Sequence, residues 1–318
     1  MMVILSACTI CGCGTSSSGK SSSGGGKYLF VITDVNDTFR AGLADAIKEA
    51  ADARGLTLDY QECGDSIDEQ KAIIEKAAAE GYAGCICRLV DVNTALQMEV
   101  AAGDMPIVFV NNEPTSDLLK DSRFVYVGSP EGDAGTFEAE YVYNKLGNPS
   151  SINLIMMKGE KGHSATEGRS KAAVNYLRDQ GCDVNLTFSD YADWSDENAY
   201  QYMEIATSVG AKYDAVICNN DTMALGVVKF MQDNGISTSD IPVCGVDATA
   251  DGCASIKAGG MQFTVLQSTK GQGEKAVEAI AIMGKGGSIS SVEGASEDGK
   301  YIWVDFERVD ANNVSDYL

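Results

Sequence analysis

Carboxylates, carboxamides, the lone histidine and aromatic rings recur in short clusters along the chain. They are Asn36-Asp37-Thr38-Phe39, Leu89-Val90-Asp91, Asn111-Asn112-Glu113-Pro114, Gly159-Glu160-Lys161-Gly162-His163, Asp190 to Trp194, Asn219-Asn220-Asp221, Gly245-Val246-Asp247 and Gln267. Together such groups donate and accept many hydrogen bonds while ring faces cover apolar atoms. That chemistry suits a sugar, whose hydroxyls each need a donor and an acceptor and whose C–H faces stack on Phe or Trp. Each cluster alone is weak, because Asp and Asn ahead of a helix commonly serve as N-caps, and for Asp37 and Asp221 both readings stay open. Catalysis is poorly served: His163 has no evident nucleophile beside it, and no carboxylate pair stands out by spacing. No glycine-rich phosphate cradle follows any strand, which disfavours nucleotide binding.

The elements that must carry these clusters alternate regularly. Apolar runs predict strands at Tyr28 to Thr33, Leu56 to Gln61, Gly84 to Leu89, Pro106 to Val110 and Phe124 to Gly128. A second series follows at Ile152 to Met157, Val184 to Ser189, Asp214 to Cys218, Pro242 to Val246 and Phe263 to Gln267. Between them the helical period predicts helices, for example over Phe39 to Ala53 with Leu43, Ala44, Ile47, Ala50 and Ala51 on one face. Repeated β-α units imply parallel sheets with helices on both faces, here an α/β chain of two doubly wound, Rossmann-like domains. The polar clusters then fall in loops after the strands, where open parallel sheets leave their ligand crevice. A last helix near Lys270 to Gly284 and a strand over Tyr301 to Phe306 come too late for either series. They are expected to pack back across a hinge.

Composition narrows the partners. The 318 residues carry 24 Lys and Arg against 46 Asp and Glu, a formal charge of −22, so no basic footprint for nucleic acid or anionic membrane exists. A hydrophobic share of 44% is that of a globular chain with real cores. Residues 1–26 read as the end of a signal segment, then Leu5-Ser6-Ala7-Cys8, which looks like a bacterial lipobox with Cys8 as the lipidated residue, then a Gly/Ser tether. Cys11 and Cys13 fall in the tether region. The scattered Cys63, Cys85, Cys87, Cys182, Cys218, Cys244 and Cys253 lack the spacing of a metal site and are expected as small core residues.

From about Tyr28 to the C-terminus the chain resembles the galactose/glucose-binding members of the periplasmic sugar-binding proteins, the solute receptors of ABC importers. The likeness rests on Asp37-Thr-Phe39, Leu89-Val-Asp91, Val108-Phe-Val-Asn-Asn-Glu-Pro114, Tyr126-Val-Gly128, Lys158-Gly-Glu-Lys-Gly-His163 through Arg169, Trp194, Asn219-Asn-Asp-Thr-Met-Ala224 and Gly245-Val-Asp-Ala248. The resemblance implies a type I periplasmic-binding-protein fold, with two lobes joined by a three-strand hinge. Residues 27–128 plus 268–303 would form one lobe, and 129–267 plus 304–318 the other. It implies that Asp37, Asn111, His163, Arg169, Asn220 and Asp247 hydrogen-bond a monosaccharide and that Phe39 and Trp194 sandwich its ring, with Gln267 and Arg88 at the site's edge. The protein would be an extracytoplasmic, lipid-anchored monomer that delivers its sugar to the membrane subunits of an importer, without cofactor, metal or catalysis.

Some positions depart from that family. Ala165 stands where a sugar-contacting Asp is usual, Ser164 where Pro is usual, Gln267 where Asn is usual and Arg88 where Asn is usual. Losing a carboxylate and gaining a guanidinium shifts the cleft toward positive charge, which leaves two readings open. Either the ligand is an acidic or otherwise modified sugar, or Arg88 pairs with Glu113 or Asp91. The family's calcium loop has no counterpart in Gly147-Asn-Pro-Ser-Ser151, which offers too few carboxylates, so no calcium is expected. Among rival functions, a sugar-responsive regulator would need a basic helix-turn-helix before Tyr28, where the tether lies. A glycosidase on a similar scaffold and a sugar sensor for chemotaxis or signalling complete the set of rivals.

Overall fold

The computed structural model describes residues 26–318. The first series runs β1 (Lys27–Ile32), α1 (Thr38–Ala53), β2 (Thr57–Glu62), α2 (Ile67–Ala79), β3 (Gly84–Cys87), α3 (Ala95–Ala102), β4 (Ile107–Val110) and β5 (Phe124–Gly128). Then come α4 (Glu131–Lys145), β6 (Ser151–Lys158), α5 (Ser164–Asp179), β7 (Asp183–Tyr191), α6 (Asp196–Ser208), β8 (Ala215–Cys218), α7 (Asp221–Asp233), β9 (Val243–Cys244), α8 (Ala250–Ala258) and β10 (Phe263–Leu266). The chain ends with α9 (Thr269–Met283), β11 (Tyr301–Trp303) and β12 (Glu307–Asp310). The strands make two sheets, in the orders β11-β5-β4-β3-β1-β2 and β12-β10-β9-β8-β6-β7.

Composition explains which strands sit inside. Gly84-Cys-Ile-Cys87, Ile107-Val-Phe-Val110 and Phe124-Val-Tyr-Val-Gly128 are buried along their whole length, as strands covered by helices on both faces must be. β2 and β7 lie at sheet edges and mix polar with apolar residues. Each sheet has a core on either face. In the first, Phe30, Ile32, Leu43, Ile47, Ile86 and Val108 pack with residues of α9, and Leu29, Val31, Met98, Phe109 and Tyr126 fill the opposite side. In the second, Met157, Met203, Val216 and Met231 form one core and Leu154, Val174, Ile217 and Phe263 the other. The seven cysteines of the described residues are buried and free, the role expected of small core residues; Cys8, Cys11 and Cys13 lie outside the described residues. No described helix is long and apolar enough to cross a membrane.

In both sheets the order reverses beside the first strand of the series: β1 lies between β2 and β3, and β6 between β7 and β8. Loops leaving such neighbours diverge and open a crevice at the carboxyl ends. The chain passes between the sheets at Gly128 to Glu131, Leu266 to Thr269 and Trp303 to Glu307. One expectation fails here. The strand expected over Tyr301 to Phe306 stops at Trp303, and a separate strand starts at Glu307: β11 pairs parallel with β5, and β12 pairs antiparallel with β10. β12 is Glu-Arg-Val-Asp, an edge strand with one buried residue, too polar to register as an apolar run.

Candidate functional site

Helix starts bring the polar clusters to one place. Asp37 caps α1, its Oδ1 accepting from Arg40 N at 2.8 Å. His163 caps α5, its Nδ1 accepting from Ala165 N at 3.2 Å. Asn220 caps α7, its Oδ1 accepting from Met223 N at 3.0 Å. Capping and facing a ligand are therefore compatible, since each cap uses one polar atom and leaves the other. Asp37 keeps Oδ2 and Asn220 keeps Nδ2. In a neutral His163 the accepting Nδ1 puts the proton on Nε2. Burial, with Arg88, Arg169 and Arg40 nearby, lowers the His163 pKa well below its ordinary value and so keeps the ring neutral. Asp221 is not a cap: buried in the first turn of α7, it accepts from Thr264 Oγ1 at 2.6 Å and Thr249 N at 2.8 Å, tying the start of α7 to β10 and to the start of α8.

Asp37, Phe39, Arg88, Asn111, His163, Arg169, Trp194, Asn220, Asp247 and Gln267 all line one cavity between the two sheets. Its empty volume is about 340 Å³, counted to the open solvent at its mouth. Arg40 and Ala165 complete the lining. Arg40 escapes a reading of the sequence, although its place one helical turn after Asp37 puts both on one face. Ala165 leaves a methyl group where the resembling family places a carboxylate.

Three lining residues hold backbone angles that side chains rarely adopt: Asn111 at φ 62°, Trp194 at 62° and Asp247 at 116°. Such strain, about 1–3 kcal/mol per residue, persists where surrounding structure imposes it, often at ligand sites. The Trp194 indole stands edge-on to His163 with centroids 5.3 Å apart. It lies so close over Gly159 that a Cβ there would fall 2.1 Å from the ring. Burial raises the Asp247 carboxyl well above its usual range, with Arg169 acting in the opposite sense.

Each arginine of the cavity already has a carboxylate. Arg169 Nε lies 2.7 Å from Glu131 Oε2, both side chains buried, and its Nη1 donates to Asn219 O at 2.6 Å. Gln267 closes this network, accepting from Arg169 Nη2 at 3.0 Å and donating to Glu131 Oε1 at 3.2 Å, so both ends of its amide are engaged. Burial alone would lower the Arg169 pKa, but Glu131 and Asp247 carry it upward. Arg40 Nη2 pairs with Asp34 at 3.3 Å. Arg88 Nε donates to Asn111 Oδ1 at 3.2 Å, and its Nη2 lies 3.6 Å from Glu160 Oε2. The expected partners of Arg88 are thus replaced by Glu160, which comes from the other side of the cleft. Asp91 instead accepts from Asn93 N, and Glu113 is lifted to about 7 by burial and by Glu131, with Tyr301 acting in the opposite sense. The cleft is also bridged beside it, where Glu113 N donates to Ser164 Oγ at 2.9 Å and Ser164 N donates to Asn112 Oδ1 at 3.2 Å. Among the described residues no group of three or more His, Cys, Asp or Glu could hold a metal ion.

A Rhizobium meliloti protein provisionally named as rhizopine-binding is 27% identical over 92% of this chain and 91% of its own. The ribose import binding protein of Bacillus subtilis is 27% identical over 82% of this chain and 83% of its own. An ABC transporter solute-binding protein from Bacillus halodurans, solved with bound myo-inositol, superimposes with a TM-score of 0.81 at 26% identity, covering 93% of this chain and 98% of that one. Residues 28–288 match the family model described as a periplasmic binding protein domain. With two mostly parallel α/β sheets facing each other across one lined cavity, the chain belongs to the periplasmic binding protein family.

Proposed function

We propose that the protein captures a neutral six-membered polyol ring, a galactose- or glucose-like monosaccharide or a cyclitol, and delivers it to an ABC importer without chemical change. The observation that carries this reading is the set of groups left free in the cavity. Asp37 from the first sheet and Asp247 from the second accept from ligand hydroxyls. Asn111 Nδ2, Asn220 Nδ2 and His163 Nε2–H donate to the hydroxyl oxygens, while Phe39 and Trp194 cover the ring. Arg169 and Gln267 add less direct contact than their positions suggest, since they chiefly hold each other and Glu131.

Delivery to an importer is supported by the relatives, one named for ribose import and one as an ABC transporter solute-binding protein. The cyclitol reading is favoured by the myo-inositol held in that second relative. We place the protein outside the cytoplasm as a monomer, with residues 27–128 plus 268–303 as one lobe, 129–267 plus 304–318 as the other, and a lipid anchor at Cys8. The anchor rests on the Leu5-Ser6-Ala7-Cys8 motif alone. The test is a thermal-shift screen over galactose, glucose, ribose, allose, myo-inositol and their acidic counterparts. A ligand bound only by the native state raises the midpoint with concentration. No shift with any neutral ring, or release of a chemically altered ligand, overturns the proposal.

A further inference from the structure

An arginine in place of a carboxamide would ordinarily invite a ligand carboxylate, because the guanidinium fork matches it. Here the fork is already committed. Arg88 is almost wholly buried. Its Nε donates to Asn111 Oδ1 at 3.2 Å, its Nη1 donates to Thr33 Oγ1 at 3.2 Å and to Leu89 O at 3.3 Å, and its Nη2 faces Glu160 Oε2 at 3.6 Å. Glu160 follows β6 and so belongs to the opposite sheet, and its side chain is 41% exposed against 3% for Arg88.

We propose that Glu160 is a specificity-determining residue that excludes acidic sugars from the cleft by pairing with Arg88 across it. The inference rests on the neutral-ring reading of the same site. A uronate carboxylate aimed at Arg88 would meet the Glu160 carboxylate at the same guanidinium nitrogen, and the repulsion between the two anions offsets the attraction. No other arginine of the cavity is free to receive it. Arg40 is matched by Asp34 at 3.3 Å and Arg169 by Glu131 at 2.7 Å. For a neutral ring the same arrangement is productive. With Asn111 Oδ1 held by Arg88, the amide NH2 of Asn111 is the group left for a hydroxyl oxygen.

Calorimetric titration of the full chain with galactose, glucose and myo-inositol, and with galacturonate and glucuronate, tests this. The readout is the ratio of affinities between the tightest neutral compound and the tightest acid. In the wild type that ratio should be at least tenfold in favour of the neutral compound. Glu160→Gln should shrink it at least fivefold by strengthening the acid, and the double variant Arg88→Gln/Glu160→Gln should lose that gain. Thermal unfolding of each variant establishes that it is folded. An unchanged ratio in Glu160→Gln, or a wild type that binds acid as tightly as neutral ring, overturns the role of Glu160 while leaving neutral-ring binding standing. A wild type that binds none of the neutral compounds removes the proposed function and this inference with it.

Discussion

Trp194 combines the roles of wall, strained corner and reporter. Its indole lies against His163 and over Gly159, so a ring entering the cavity changes its surroundings directly. Its fluorescence should shift on ligand addition, and Trp194→Ala or Asp247→Ala should weaken binding at least tenfold, about 1.4 kcal/mol. Full affinity in either variant, measured by titration, would remove these residues from the site. Behind the cavity Glu138 presents a different case. It is wholly buried with neither carboxylate oxygen hydrogen-bonded, and burial raises its pKa well above the usual range. Its folded pKa thus exceeds the unfolded value of about 4.3, so the stability it contributes is complete below that pH and is lost as pH rises toward the folded value. Glu138→Gln cannot ionise. Its melting temperature should gain on the wild type's as pH climbs from about 4.5 to 8, and the gap should stay constant below about 4. Asp221, lifted to about 7 by burial, acts in the same sense; His163, lowered by burial, opposes it by costing stability as pH falls below about 6.5. At this scale the candidate residues are legible because each lies in a loop at the carboxyl end of a strand or in the first turns of the next helix. Arg40 escapes because a charged residue one turn into a helix reads as solvated face. The partner of Arg88 is hidden because Glu160 is 72 positions away in sequence and meets it only across the cleft.

Among the elements, α4 and α5 lie unusually close. A Cβ on Gly135 would fall 2.0 Å from the carbonyl oxygen of Arg169, so glycine is what lets the two backbones touch there. Alanine is the better helix former by up to about 1 kcal/mol, which sets two effects against each other. The steric one should win: Gly135→Ala is expected to lose roughly 1–3 kcal/mol of stability in denaturant unfolding. It should also weaken ligand binding, since it moves Arg169 against Glu131. The regular strands and helices are readable from their apolar periods, because each buries a face or a whole strand against the sheet. What escapes is the end of the chain. A four-residue edge strand with one buried side chain carries almost no period, and the run Tyr301-Ile-Trp-Val-Asp-Phe306 reads as one strand although its pairing stops at Trp303, where the proposed lobe division at 303/304 falls. α3 begins behind a short turn at Val92–Thr94 capped by Asp91.

For the whole molecule, the contacts that span the cleft without ligand belong to the closed arrangement of the two lobes and are predicted to slow ligand release. Ser164 supplies two of them, accepting from Glu113 N and donating to Asn112 Oδ1. If the lobes open to release ligand, Ser164→Ala removes one hydrogen bond from the closed form alone. At about 0.5–1.5 kcal/mol net, dissociation should speed up roughly two- to tenfold with association little changed, as stopped-flow fluorescence would show. An unchanged off-rate would mean that this bridge persists through release. The acidic exterior, with a formal charge of −22, says little about the ligand, because each arginine of the cavity is balanced locally by a carboxylate of its own.

The buried thiols give the fold an internal clock. Cys63, Cys85 and Cys87 sit in the first core, and Cys182, Cys218, Cys244 and Cys253 in the second. Burial raises each, Cys63 and Cys253 to about 11, so the nucleophilic thiolate is scarce while the chain is folded. Alkylation read peptide by peptide therefore times the opening of each half separately, and equal rates across both sets would mark a molecule that unfolds as one unit rather than half by half.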